Sequence, residues 1–139
     1  MLGYWHNRDE ENARIRTHGF HTRDLMEIAP DGERFLVGRK DDVISVGGEK
    51  VFPAEVEAAL LAHPSVRDVC VLGADDPRGI LGQIVKAAIV LRGDAPFDPD
   101  AILSHCRDRL EPYKIPSLLE PVAEIPRDDM GKVARVARR

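Results

Sequence analysis

Along the first 23 residues apolar and polar positions follow no rhythm. The segment GYWHNRDEENARIRTHG carries Tyr4 and Trp5 and then a long run of charges. Such a stretch cannot build a core of its own, and it reads as a short helix or loop that leans on something else. Alternation begins at residue 24. DLMEI (24–28) and ERFLV (33–37) flank Pro30, Asp31 and Gly32; proline presets φ and glycine accepts a positive φ, so a hairpin is predicted. Val43 to Val46 and then Val51 with Phe52 flank Gly47 and Gly48, a second hairpin signal.

The rhythm then lengthens. Pro53 suits a first helical turn, Val56, Ala59 and Leu60 form an apolar face, and His63 with Pro64 ends the pattern. VRDVCVLGA (66–74) and QIVKAAIVL (83–91) are β-rich, the second almost wholly apolar, as expected of strands covered on both faces. DDPRGILG (75–82) between them is a loop. DPDAILSHCRDRL (98–110) is a second helix, with Asp98 as N-cap, Pro99 at the first position, and Leu103, Cys106 and Leu110 at helical spacing. LLEPVAEI (118–125) is a shorter strand. The order after Gly38 is β-hairpin, α, β, β, α, β. This is an α+β arrangement: a hairpin segment, then a small domain whose hairpin and three-stranded sheet are packed by helices.

Length, 139 residues, suits one compact domain or one plus an appendage. Net charge is −4 and pI about 5.7, which gives no general attraction to nucleic acid or to anionic membranes. The basic stretch 132–139 reads as a solvated tail. Cys70 and Cys106 sit in apolar patterns without a CxxC or Cys/His cluster, so buried thiols are expected and no metal site. No leader or bilayer-length apolar run is evident, making a cytoplasmic protein the expectation.

One stretch stands apart. GRKDDVISVGGEKVFPAEVE (38–57) crowds charges around a double-glycine bend. A solvated hairpin would account for it; so would a moving joint whose bend lies against a ligand. Four stretches in order resemble the C-terminal part of the adenylate-forming enzymes, which include acyl-CoA synthetases, nonribosomal peptide synthetase adenylation domains and luciferases. GFHTRDL (19–25) is similar to that family's Gly-x-x-Thr-Gly-Asp-Leu segment. Residues 38–57 are similar to its hinge and following hairpin. HPSVRDVCVLGADDPRG (63–79) and LEPYKIPSLLEPVAEIPRDDMGKVAR (110–135) resemble its later passages. The likeness covers nearly the whole chain. Members of the family join a carboxylate to the α-phosphate of ATP, with Mg, and then pass the acyl group to a thiol, coenzyme A or phosphopantetheine. The resemblance implies that 38–139 is the small lid domain of such a ligase, hinged near 39–42, and that 1–37 is the end of the large N-terminal domain.

Roles follow by position. Asp24 matches the aspartate that accepts the ribose hydroxyls, and Arg39 an arginine that also approaches the ribose; a carboxylate and a guanidinium fork suit those tasks. Asp41 matches the hinge residue, although a generic loop aspartate would read the same. Gly47 and Gly48 match the turn lining the pantetheine channel, where a side chain would block a narrow thread; a type I′ turn explains the same pair. Lys50 could meet a phosphate of coenzyme A, or be a solvated strand lysine. Glu55 and Glu57 read as charges in a first helical turn. Lys132 matches the lysine that stabilises charge building on the α-phosphate oxygens during adenylation.

Three departures limit the likeness. Arg23 stands where the family usually has glycine, and Ser45 where some members have lysine, so Ser45 receives no role. The phosphate loop of the large domain is missing, and no GxxxxGK[ST] or GxGxxG replaces it. The chain alone is therefore expected not to adenylate, and to act with a large N-terminal domain or a carrier protein. A non-catalytic lid-like binding module is the alternative reading. Pairing of two copies through 1–37 is a further possibility.

Overall fold

Residues 15–16, 19–20, 24–127 and 129 are described by the structure, a computed structural model. The chain divides into two compact units, Met1–Asp41 and Asp42–Arg139.

In the first unit β1 (Ile15–Arg16) pairs antiparallel with β2 (Gly19–Phe20). This is a strand pair inside the segment where a short helix or loop was expected. β3 (Asp24–Ile28) pairs antiparallel with β4 (Arg34–Arg39), closed by the expected turn, with Gly32 at φ 90°. Asp31 Oδ1 accepts the N–H of Glu33 at 3.0 Å, and the N–H of Gly32 donates to Ala29. β4 runs past residue 37 because Gly38 and Arg39 pair with Leu25 and Asp24, across a register shift between Leu25 and Met26. Met26, Ile28, Phe35 and Leu36 are each more than half exposed.

The second unit opens from the 3₁₀ turn Lys40–Asp42. β5 (Ile44–Val46) and β6 (Glu49–Val51) form the double-glycine hairpin, with Gly47 at φ 57° and Gly48 at φ 86°. These left-handed values suit a two-residue I′ turn, which favours glycine. α1 (Pro53–Leu61) buries Pro53, Val56, Ala59 and Leu60. β7 (Val66–Asp75) and β8 (Gln83–Leu91) are antiparallel, and β9 (Leu118–Pro121) adds to β8 in parallel, giving a mixed sheet ordered β7-β8-β9. α2 (Pro99–Arg107) joins β8 to β9 and is capped as expected: Asp98 Oδ1 accepts the N–H of Ala101 at 3.0 Å.

The sheet is covered on both faces, as the apolar runs of β7 and β8 require. On one face Val69, Val71, Val85, Ala87 and Ile89 pack with Ile44, Val46 and Val51 of the hairpin, Val56 and Leu60 of α1, and Ile102 and Cys106 of α2. On the other, Cys70 and Val90 pack with Ile125, and Leu72, Ala88 and Val122 lie against them. Val66 shares the first face with Val69, an odd spacing, because the strand shifts register between Val66 and Asp68. Two details depart from the sequence pattern. In α2 the buried apolar residue is Ile102, one position before Leu103, so the inward stripe runs Ile102, Cys106, Leu110. β9 ends at Pro121 instead of running to residue 125; a proline cannot donate to a ladder, and Ile125 turns back over the sheet. Both cysteines are buried and unbridged, and burial pushes the Cys106 thiol up.

Candidate functional site

Asp24 and Arg39, fifteen positions apart, are register partners at the open end of the β3–β4 hairpin, and Arg39 Nε lies 3.7 Å from Asp24 Oδ1. Both side chains are substantially exposed. A carboxylate and a guanidinium side by side on one rung can together meet adjacent hydroxyls of a polyol. Asp41 is exposed in the 3₁₀ turn that follows, at the end of the first unit.

In the second unit Gly47 and Gly48 form the exposed tip of the β5–β6 hairpin. The two glycines are not equivalent. A Cβ on Gly48 would meet nothing within 4 Å, whereas one on Gly47 would lie 3.1 Å from Leu81 Cδ2. The hairpin is tied down on that side: the N–H of Gly47 donates to the Leu81 carbonyl at 2.9 Å, Val46 bridges Gly82, and the N–H of Ser45 donates to Gln83 Oε1 at 3.0 Å. Lys50 is exposed on β6, opposite Ser45.

Glu55 and Glu57 have structural partners. Lys114 Nζ reaches Glu55 Oε1 at 2.8 Å, and Glu57 accepts the N–H of Val71 at 3.0 Å. Lys114 was not picked out from the sequence. It sits in the 3₁₀ turn Pro112–Lys114, with its side chain only 14% exposed and its ammonium 5.6 Å from the Tyr113 ring. The hydrogen bond to Glu55 holds its pKa above the usual lysine value.

Asp76 was missed as well, because DDPRGILG read as a plain loop. Its side chain is 1% exposed. Oδ1 accepts the N–H of Arg78 at 3.0 Å, and Oδ2 accepts those of Ile80 and Leu81 at 3.1 and 3.0 Å. These donors, Leu81 first, hold its carboxyl below the ordinary carboxylate range. The available signal was Asp-Pro-Arg-Gly, in which an aspartate can cap its own turn and the glycine takes a positive φ, here 67° at Gly79.

Lys132 and Arg23 lie outside the described residues. The chain leading toward Lys132 is described as far as Arg127, whose Nη2 meets Asp68 Oδ2 of β7 at 2.7 Å, two residues after buried Ile125.

A hairpin-tipped α+β unit following a rung that pairs an aspartate with an arginine defines the class of fold. Residues 55–132 match the family of the AMP-binding enzyme C-terminal domain, and the chain belongs to that family. It is 38% identical over 135 residues to the 2-succinylbenzoate–CoA ligase of Bacillus velezensis, covering 97% of this chain and 27% of that protein. It is 35% identical, again over 97% of this chain and 24% of the relative, to a long-chain-fatty-acid–CoA ligase of Escherichia coli. Among solved structures it is similar to the o-succinylbenzoate CoA synthetase of Bacillus subtilis in complex with its acyl-adenylate intermediate, with TM-score 0.88 and 31% identity over 100% of this chain and 29% of that one. The chain thus spans about a quarter of the length of the curated relatives it matches.

Proposed function

We propose that this chain is the C-terminal part of an ATP-dependent acid–thiol ligase of the acyl-CoA synthetase type. In this reading it is a lid that turns about residues 39–42 and serves two steps in succession. In the first, a carboxylate oxygen bonds to the α-phosphorus of ATP, pyrophosphate leaves, and Lys132 stabilises the charge gathering on the phosphate oxygens. In the second, the sulfur of coenzyme A or a pantetheine arm bonds to the acyl carbon. The bond to AMP breaks, AMP leaves with the electron pair, and the thiol proton passes to water. Gly47 and Gly48 border the thiol's path, with Lys50 beside it, while Asp24 and Arg39 hold the ribose.

The observation that carries this reading is the placement of the two segments. The hairpin is rooted by Ile44, Val46 and Val51 on one face of the β7–β8 sheet. The segment leading to Lys132 is rooted by Val122 and Ile125 on the opposite face. A single cleft can meet only one of these faces at a time, so a chain that serves both steps has to turn between them. The ATP and acid sites belong to a large domain that this chain needs as partner, and the chain alone is inactive. The exposed Met26, Ile28, Phe35 and Leu36 agree with a covered position for their hairpin in that assembly, since a two-stranded hairpin is marginal by itself.

The test is reconstitution. Mixed with the large domain of a related ligase from which the lid has been removed, this chain restores carboxylate-dependent ATP–pyrophosphate exchange. Lys132→Ala lowers that exchange by about 10²–10³. Failure to restore exchange, together with tight binding to a carrier protein, would replace this reading with that of a non-catalytic binding module.

A further inference from the structure

The β7–β8 connection is closed on itself by one side chain. Besides the three N–H groups it accepts, Asp76 donates its own N–H to the Gly82 carbonyl at 3.0 Å, and its carbonyl accepts the N–H of Gly79 at 2.8 Å. Arg78 Nε stands 3.6 Å from Oδ1 but is mostly exposed, so the backbone donors dominate the site. A nearly fully buried carboxylate is costly unless its lone pairs are satisfied, and here each oxygen is met by backbone N–H donors.

The same loop carries the turn. Leu81 is held from both ends, its N–H by Asp76 Oδ2 and its carbonyl by the N–H of Gly47. Gly82 bridges Val46, and Gln83 receives the N–H of Ser45. Three consecutive residues of the hairpin, 45 to 47, therefore rest on three consecutive residues at the end of the loop and the start of β8, 81 to 83. Beyond Gly47, a Cβ on Gly48 would meet nothing within 4 Å.

We infer that Asp76 is a positioning residue for thioester formation: its carboxylate fixes residues 76–82, and through Leu81 sets where the Gly47 and Gly48 turn stands relative to an incoming thiol. This rests on the role proposed above for that turn. Adenylation depends on the segment rooted on the opposite face of the sheet, so the effect of Asp76 should fall unequally on the two steps.

Asp76→Asn keeps one acceptor oxygen but turns an NH₂ toward backbone donors. In the full chain, amide hydrogen exchange at Gly47 is expected to rise about tenfold or more, with exchange at Ile89 in the sheet unchanged. In the reconstituted ligase, the KM for coenzyme A is expected to rise, and the ratio of thioester formation to ATP–pyrophosphate exchange to fall, by about tenfold. Should Asp76→Asn lose the protection of Ile89, Asp76→Ser, which can still accept one N–H, takes its place with the same expectations. Unchanged Gly47 exchange, or equal loss of both steps, overturns the inference and leaves the lid reading standing. If the wild-type chain restores no activity, the lid reading fails, and the catalytic part of this inference fails with it.

Discussion

Asp24 and Arg39 occupy one rung of the β3–β4 hairpin, with Arg39 Nε 3.7 Å from Asp24 Oδ1. An exposed cross-strand pair of this kind adds only about 0.2–1 kcal/mol to a hairpin, so stability alone gives little reason for it. The proposed nucleotide role makes a stronger demand. In the reconstituted ligase Asp24→Ala should raise the KM for ATP by about ten- to a hundredfold, the cost of losing hydrogen bonds to a charged group. The exchanged pair, Asp24→Arg with Arg39→Asp, keeps opposite charges on the rung but misplaces the acceptor proposed for the ribose. It should be as poor as the single variant; recovery of ATP affinity would assign the pair to the hairpin instead.

The two glycines of the turn should respond differently to alanine. At Gly48 the added methyl meets nothing, so the stability cost is that of a left-handed backbone, about 1 kcal/mol. Its main effect should be on the ratio of thioester formation to adenylation, which falls by about 10- to 100-fold as the thiol's approach is obstructed. At Gly47 the methyl also presses on Leu81, so Gly47→Ala should show the larger drop in urea midpoint. Equal midpoints for the two variants would show that Leu81 yields without cost.

His63 and His105 join α1 to α2. Their rings meet edge to face at 5.1 Å, His105 Nε2 lies 2.8 Å from the Ala59 carbonyl, and His63 Nδ1 accepts the N–H of Ser65 at 3.2 Å. Burial, then the neighbouring His105, lowers the His63 pKa; Asp98 opposes this and Arg109 adds to it. With the folded value lowered, the unfolded chain binds the proton more readily. Stability should therefore fall as pH drops through about 6.5, and this loss should stop below the folded value. The urea midpoint should fall between pH 7.5 and 5.5, and fall less in His63→Asn. The same fall in both proteins would remove His63 from the explanation.

Ile102 and Leu103 are adjacent in α2 but face different surroundings, Ile102 fully buried and Leu103 only half-buried. Ile102→Ala should cost about 2–5 kcal/mol by chemical denaturation, and Leu103→Ala about 1 kcal/mol or less. Similar losses at both positions would mean that α2 sits rotated from the orientation described.

Local pattern was enough to place the β3–β4 and β5–β6 hairpins, both described helices and the two long strands, because each depends on neighbours within a few residues; it did not place the β1–β2 pair. A φ-permissive glycine, a capping aspartate, or apolar residues at period two or near four are all visible in one dimension. The ordered motifs were also enough to indicate the family. Contacts between distant segments were not legible in this way. The choice of Ile102 over Leu103 depends on how α2 rolls against the core formed by α1, the hairpin and the sheet. The turn of Ile125 back over the sheet depends on its finding Cys70 and Val90. The partnership of Lys114 with Glu55 spans 59 residues. Asp76 looked like one charge among several in a polar loop until folding removed it from water and gathered three N–H groups around it. Desolvation and long-range hydrogen bonding arise only when remote pieces of chain meet, so the support beneath the glycine turn was decided by tertiary structure alone.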